Sequence, residues 1–308
     1  MDFFGLSSRR QGGLVVVEKF FSDRERGDRP RTSEVIDERT WRGIVALIHK
    51  RIDDGSFGAG FPSQCSDGQG VTGCDGAALG MALQAEVDVE WPLDPHVMPK
   101  DGLAILDMIE FLYPNVGSPI QREFHSYLKH RHIFFDIDIG RMEFVKNINR
   151  LLARNSIAFE LTAAGLVRRL LPSQMAEQLT KMDFHTRDAE ADRLLSLARG
   201  KIISPSLDVR RDALEKLWDA FERLKTLEAG RDKRTSAEAL LGKVASGPIY
   251  RTMLDEEARE LTNAGNSLRI RHSEKSQEII ERPEQIDYLF FRMLSFIQLL
   301  LRASGRGG

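Results

Sequence analysis

The sequence is poor in cysteine and has no excess of charge of either sign. Its 308 residues include two cysteines, Cys65 and Cys74, which are too few for the disulfide framework of a small secreted domain. The 44 Lys and Arg residues nearly balance the 46 Asp and Glu residues, and the net charge of -2 excludes a histone-like or coating role on nucleic acid. A nucleic-acid partner would therefore have to be held by a local basic site.

Long hydrophobic runs are also missing. The opening segment, MDFFGLSSRRQGG, has no apolar run long enough for a signal peptide, so we expect a cytoplasmic protein. The most apolar stretch, residues 288–301, contains Arg292 and is shorter than the roughly 20 apolar residues that a membrane span requires. We therefore expect a buried final helix and no membrane partner.

Several short motifs of known chemistry do not occur in the sequence. It has no G-x-x-x-x-G-K-[ST] phosphate loop, no G-x-S-x-G nucleophile elbow and no H-E-x-x-H zinc-peptidase motif. Residues 54–80 hold eight glycines and both cysteines, a composition that is typical of loops and tight turns. Nucleotide binding, serine hydrolysis and zinc-peptidase activity are therefore not predicted.

The spacing of apolar residues predicts an α+β protein, mainly α, with two domains. Residues 1–200 are assigned to an N-terminal α+β domain and residues 201–308 to a C-terminal helical bundle, with the boundary at residues 198–205. In the bundle, apolar residues recur at helical spacing through residues 208–228 and again in the final helix after Pro283. The predicted N-terminal elements are helices at 34–52, 101–113, 122–130 and 142–152, a strand at 132–139, and a hairpin with strands at 157–161 and 166–170.

A winged-helix-like part is one interpretation of residues 101–172. A helix followed by a hairpin would then set basic side chains against a phosphate backbone. These side chains are Arg150, Arg154, Arg168 and Arg169. The alternative is a helix that packs on a hairpin and only shapes the N-terminal domain.

Three histidines, His125, His130 and His132, lie close together in the sequence, with Asp136 and Asp138 just beyond them. A metal site needs convergent His, Cys or carboxylate groups, but H-x-x-x-x-H-x-H is not an established ligand spacing. The two cysteines also lie too far apart for a C-x-x-C hairpin. Structural zinc is one interpretation, and packed or surface histidines are the other. We adopt the second and predict no metal and no other cofactor.

The densest polar cluster is at residues 265–274, between two predicted bundle helices. Arg269 and Arg271 can fork onto phosphate oxygens, and His272 titrates near neutral pH. Such a set can cleave RNA without a metal, because an imidazole assists attack of the ribose 2′-hydroxyl while a guanidinium stabilises the transition state. The alternative is a solvated ion-pair cluster with Glu274, in which His272 caps a helix end.

The C-terminal third resembles a HEPN domain of the abortive-infection type. The resemblance lies in residues 218–225 (WDAFERLK), 265–274 (GNSLRIRHSE) and 287–292 (DYLFFR). Residues 105–111 and 159–170 resemble the region that precedes HEPN in AbiJ-like bacterial proteins. This resemblance implies a helical bundle, usually dimeric, that is often a metal-independent endoribonuclease of phage defence or toxin–antitoxin systems.

In this resemblance, Gly265 stands where the HEPN signature has its leading arginine. Our hypothesis is RNA cleavage by a homodimer, formed because the final helix has more apolar surface than one bundle can bury. His272 would be the acid/base and Asn266 an orienting group, while RNA would be bound by Arg269, Arg271 and Glu274. The rival hypothesis is a non-catalytic module that binds RNA or a protein with the same residues.

Overall fold

A computed structural model describes residues 20–68, 70–180, 185–228, 232–270 and 277–306 of the chain. The chain divides into two compact units, residues 1–30 and residues 31–308. The described part of the first unit contains one short helix, α1 (Phe21–Arg26). All the elements that follow belong to the second unit.

The second unit has ten further helices and six strands within the described residues. With 60% of the described residues in helices and 11% in strands, the predicted α+β class, mainly α, is confirmed. The helices are α2 (Glu38–Asp53), α3 (Gly76–Glu86), α4 (Gly102–Leu112), α5 (Ile137–Arg154), α6 (Ser173–Thr180), α7 (Ala189–Ile202), α8 (Leu207–Leu224), α9 (Lys233–Val244), α10 (Pro248–Ser267) and α11 (Pro283–Ala303). The strands are β1 (Pro62–Gln64), β2 (Val71–Cys74), β3 (Ser118–His125), β4 (His130–Asp136), β5 (Phe159–Leu161) and β6 (Val167–Arg169).

Two of the predicted N-terminal helices begin where a capping residue precedes an apolar stripe. α2 follows Asp37, whose carboxylate accepts a hydrogen bond from the Thr40 backbone N–H (2.8 Å). α4 follows Asp101, whose carboxylate accepts from the Leu103 backbone N–H (2.9 Å). Both helices bury their apolar faces in one shared cluster. Apolar spacing therefore located both helices, although the first was predicted to begin at residue 34 and α2 begins at Glu38.

Strands β1 to β4 form one antiparallel sheet in the order β1-β2-β4-β3. It consists of two hairpins, β1–β2 and β3–β4, and in the described residues these are joined at one position, where Val71 lies opposite Ile133. Strands β5 and β6 form a separate hairpin at the predicted place. Gly165 in its loop has a φ of +84°, a left-handed conformation that glycine adopts without steric cost.

The predicted helix at residues 122–130 is wrong. These residues belong to the β3–β4 hairpin and its turn at residues 126–129. The short apolar pattern fits one turn of a helix, but pairing with β4 decides the conformation, as tertiary context often does for strands. The predicted strand at residues 132–139 also ends early, because Asp136 caps α5.

Buried apolar side chains form two clusters. The first draws on α2 to α5 and β5 and includes the fully buried Trp41 and Phe144. The second draws on α6 to α11 and surrounds Trp218. Val167 packs against the first cluster, whereas Leu171 packs against the second. Helices α7 and α8, which lie on either side of the predicted boundary, bury side chains in the same second cluster. A domain boundary after residue 200 stays a prediction.

Helix α11 buries its apolar side chains inside this chain. Phe290, Met293 and Ile297 are fully covered, whereas Tyr288 is exposed. The apolar surface of the final helix, which was the reason to predict a homodimer, is thus buried in the second cluster. The homodimer stays a prediction, but this surface no longer supports it. Neither α11 nor any other helix among the described residues is long and apolar enough to cross a membrane.

Four charged side chains join the two clusters. Arg169 in β6 donates from Nε to Glu34 (2.7 Å) and from Nη1 to Asp287 in α11 (2.9 Å). Arg210 in α8 donates from Nη2 to the same Glu34 carboxylate (2.7 Å). The side chain of Arg169 is 3% exposed. The network therefore links β6, α8 and α11 through buried charges.

This burial corrects the role predicted for Arg169. Burial acts to lower the pKa of its guanidinium, but the hydrogen bonds and charges of Asp287 and Glu34 outweigh that effect, so the net shift is upward and Arg169 stays charged. The Arg169 guanidinium thus binds Glu34 and Asp287 inside the protein and is not exposed for contact with a phosphate backbone. Its neighbour Arg168 is exposed and donates to Glu160 (2.5 Å).

Candidate functional site

The loop between β1 and β2 places Cys65 at one end of the sheet, within the glycine-rich segment 54–80. The Cys65 N–H donates to the Gly70 carbonyl (2.7 Å), and the Cys65 carbonyl accepts from the Gly68 N–H (2.9 Å). Gly68 has a φ of +71°, a left-handed conformation that glycine adopts without steric cost. Backbone hydrogen bonds therefore hold the thiol-bearing residue in a tight loop.

The turn between β3 and β4 brings the three histidines to one face of the sheet. His125 ends β3 and lies directly opposite His130, which begins β4. His132 is two residues further along β4, and side chains two residues apart point to the same side of a strand. The three imidazole rings have centroids 5.4 to 5.5 Å apart.

Cys65 and the three histidines converge on one point. One potential ligand atom from each of the four side chains lies within 4.8 Å of the other three. Cys65 Sγ and His125 Nδ1 are 3.6 Å apart. In a tetrahedral zinc site, bond lengths imply ligand atoms roughly 3.3 to 3.7 Å from one another. The separations in the cluster therefore need to contract by roughly 1.5 Å at most to enclose an ion of that size.

Burial argues against simple packing of the two histidines in β4. His130 Nε2 and His132 Nε2 are buried, and neither has a hydrogen-bond partner among the described residues. A buried polar atom without a partner destabilises the folded state by about 1–3 kcal/mol. A cation bound through these nitrogens would supply the missing interaction. Cys65, which is 4% exposed, adds a sulfur donor to the set.

Two neighbouring residues shape the cluster. Asp67 Oδ2 lies 3.3 Å from His125 Nδ1, so a negative charge that favours a bound cation is directly beside it. Burial, followed by the hydrogen bond with Asp67, raises the pKa of the Cys65 thiol, whereas a coordinated metal would hold it as a thiolate. At residue 70 a Cβ would lie 2.7 Å from the His132 ring, so Gly70 permits that ring its close approach.

In the sequence, structural zinc was one interpretation of these residues, but packed or surface histidines were adopted and no metal was predicted. The predicted helix at residues 122–130 removed the pairing of His125 with His130. Cys65 is 60 residues from His125, and no local pattern connects the two. The signal that could have found the site is the hairpin itself, because histidines at both ends of a short turn lie opposite each other in an antiparallel pair.

The chain was compared with protein-family models, with curated proteins and with solved structures. None of the three comparisons finds a match. The HEPN and AbiJ-like resemblance therefore stays a prediction. The candidate metal site rests on the geometry of its own residues.

The predicted C-terminal site begins at the end of α10, and the structure describes part of it. Asn266 and Arg269 are exposed, and Arg269 has a φ of +51° where the chain leaves the helix. The Asn266 carbonyl accepts a hydrogen bond from the Gln277 side chain (2.6 Å), which ties the two ends of the segment together. The remaining predicted residues, Arg271, His272 and Glu274, lie outside the described residues.

Gly265 is buried against Trp218. A Cβ at residue 265 would lie 2.3 Å from the indole ring of Trp218, whose Nε1–H donates to the Leu261 carbonyl in α10 (2.7 Å). An arginine in this place would force the α8–α10 packing apart. Packing against Trp218 thus explains the glycine at residue 265, and this position faces the core rather than a solvent cleft.

Proposed function

We propose that this chain binds one Zn²⁺ through Cys65, His125, His130 and His132. The observation that carries the proposal is the convergence of these side chains, which include two buried imidazole nitrogens without a partner in the described structure. Zn²⁺ prefers tetrahedral nitrogen and sulfur ligands, and a thiolate with three imidazoles fills that preference.

The proposed zinc holds the sheet together and does not activate water. Four protein ligands complete a tetrahedral shell, whereas catalytic zinc sites keep one position for water or substrate. The ion would tie the β1–β2 loop to the β3–β4 hairpin. In the described residues the sheet itself joins these two hairpins at a single position, Val71 opposite Ile133.

The metal content of the full-length chain tests this proposal. After incubation with Zn²⁺ and removal of the excess, we expect one zinc per chain by elemental mass spectrometry. Cys65→Ser and His132→Ala should each lose the ion on gel filtration, because three ligands hold it less tightly than four. With Co²⁺ in place of Zn²⁺, a thiolate-to-cobalt absorption band should appear and should be absent from Cys65→Ser.

Cys74→Ser and His96→Ala are the matched controls. Cys74 is not among the convergent residues, and burial raises its pKa to about 11, so its thiol is protonated near neutral pH. His96 is exposed. Both variants should retain one zinc. Zinc well below one per chain in the parent protein, or full zinc in Cys65→Ser and His132→Ala, would contradict the proposal.

We also propose a second function, RNA cleavage, at residues 266–274. It is supported by the exposure of Asn266 and Arg269 where α10 ends, and by the HEPN resemblance of the sequence. His272 would act as acid/base and Arg269 or Arg271 would contact phosphate, in a cytoplasmic homodimer that serves phage defence or a toxin–antitoxin pair. The rival is a non-catalytic module that holds RNA or a protein with the same residues.

Incubation with total RNA separates the nuclease from the binding module. The zinc-loaded chain in buffer without Mg²⁺ should yield fragments that end in 2′,3′-cyclic phosphate, and His272→Ala should slow cleavage by about 100- to 10,000-fold. EDTA is left out because it would also remove the proposed zinc. His96→Ala should cleave at the parental rate. Intact but retarded RNA would support the binding module, and intact, unretarded RNA would contradict an RNA function.

A further inference from the structure

The four ligands of the candidate metal site do not by themselves decide which ion it takes. A thiolate is a soft ligand that suits Cu⁺ as well as Zn²⁺, and imidazole nitrogens bind ions of both metals. The two ions differ in charge. A site that distinguishes them therefore needs a charged group next to its ligands.

Asp67 provides such a group. Its Oδ2 atom lies 3.3 Å from His125 Nδ1, and its side chain is 29% exposed. Asp67 is not among the four convergent ligand residues. It lies two residues after Cys65, in the loop that is closed by backbone hydrogen bonds of Cys65 with Gly68 and Gly70. The loop therefore holds the carboxylate at the edge of the cluster without making it a ligand.

The other described charges of the β3–β4 hairpin lie further from the ligands or face solvent. Arg131 is next to His132 in β4, so its side chain points to the opposite face of the strand. It is exposed, as are Arg122 and Lys129. Asp136 lies roughly 13 Å beyond His132 along the strand and caps α5. Because water and salt screen exposed charges, Asp67 has the largest effect on the cluster.

The net charge of the loaded cluster depends on the ion. A thiolate and three neutral imidazoles carry one negative charge, so the cluster has a net charge of +1 with Zn²⁺ and is neutral with Cu⁺. A buried net charge destabilises the complex unless an opposite charge lies close to it. The Asp67 carboxylate balances the Zn²⁺ complex, whereas it gives the Cu⁺ complex an unbalanced negative charge.

We infer, on the basis of the proposed zinc site, that Asp67 makes this site select a divalent over a monovalent cation. Asp67 acts through its charge beside His125 and does not bind the ion, so it is a specificity-determining residue. A neutral side chain of the same shape would leave the Zn²⁺ complex with an uncompensated positive charge. The same side chain would leave the Cu⁺ complex neutral.

The metal affinities of Asp67→Asn test this inference, because asparagine keeps the shape and can accept a hydrogen bond but has no charge. Competition with a chromophoric chelator gives the affinity of the full-length chain for Zn²⁺ and, in the absence of oxygen, for Cu⁺. Asp67→Asn should bind Zn²⁺ about 10- to 100-fold more weakly than the parent protein, whereas its affinity for Cu⁺ should change much less. The absorption bands of bound Co²⁺ should keep their positions, since the four ligands are unchanged.

Asp136→Asn is the matched control, because it also removes one negative charge from β4 and asparagine caps a helix about as well as aspartate does. It should bind both ions with the parental affinities. Equal losses of Zn²⁺ and Cu⁺ affinity in Asp67→Asn would show that Asp67 only shapes the loop, and an unchanged Zn²⁺ affinity would show that its charge has no effect.

Either of these results overturns the selectivity of Asp67 and leaves the zinc site standing. Shifted Co²⁺ bands in Asp67→Asn would also overturn it, because they would identify Asp67 as a ligand. A parent protein that binds no Zn²⁺ contradicts the zinc site itself, and the role of Asp67 falls with it. Zn²⁺ binding by the parent protein and the comparison of the two ions in Asp67→Asn are therefore separate readouts.

Discussion

Replacement of Arg169 by alanine is expected to lower the free energy of unfolding by about 3–5 kcal/mol, the range for breaking a buried ion pair from one side. The guanidinium is buried and donates to both Glu34 and Asp287. Glu34 keeps its bond from Arg210 in the variant, so most of the loss arises at Asp287, which loses the charge it pairs with. Arg169→Lys keeps the charge without the planar fork and should fall between the two proteins.

Arg168 provides the control, because it is adjacent to Arg169 in the sequence but exposed and paired with Glu160 at the surface. Arg168→Ala should lower the free energy of unfolding by about 1 kcal/mol or less. Urea denaturation gives both values from the shift in midpoint at constant slope. Equal midpoints for the two alanine variants would show that the buried network stabilises the fold no more than a surface ion pair does.

Zinc is expected to raise the free energy of unfolding by about 4 kcal/mol when its free concentration is a thousand times its Kd. The four ligands come from the β1–β2 loop and the β3–β4 hairpin, and they converge in the folded chain. In the unfolded chain they are scattered, so the metal binds the native state preferentially. The measurement is urea denaturation of one preparation, with Zn²⁺ and after chelation.

His130→Ala should remove this dependence on zinc, because it takes away one of the four convergent ligands. His96→Ala should preserve it, since His96 is an exposed histidine outside the cluster. If the midpoint of the parent protein is the same with and without zinc, the ion does not stabilise the fold. A midpoint of His130→Ala that still rises with zinc would place the binding site elsewhere.

Local signals in the sequence located many of the elements of the second unit. Helix α2 was predicted from an apolar stripe, and the β5–β6 hairpin was predicted from two short strand patterns on either side of a loop that contains Gly165. Both signals lie within one element or one turn, where sequence spacing reports on geometry directly. Residues 122–130 were wrongly predicted because their pattern suits both conformations, and the pairing with β4 that selects the strand is a tertiary contact.

The candidate sites depend on contacts that are distant in the sequence. Cys65 meets His125 across 60 residues, and Arg169 pairs with Asp287 across 118 residues. An arginine in a hairpin looks the same in the sequence whether it faces solvent or a buried carboxylate. The sequence could therefore name the residues with suitable chemistry, but not which of them would meet.

Strand β3 lies at the edge of its sheet, and its sequence has a consequence for association between chains. Pro119 has no backbone N–H to donate, and the register with β4 shifts between Gln121 and Phe124. Both features break the regular row of donors and acceptors that an incoming strand would extend. The hairpin can thus expose aromatic side chains to solvent while its edge resists the strand addition that begins aggregation.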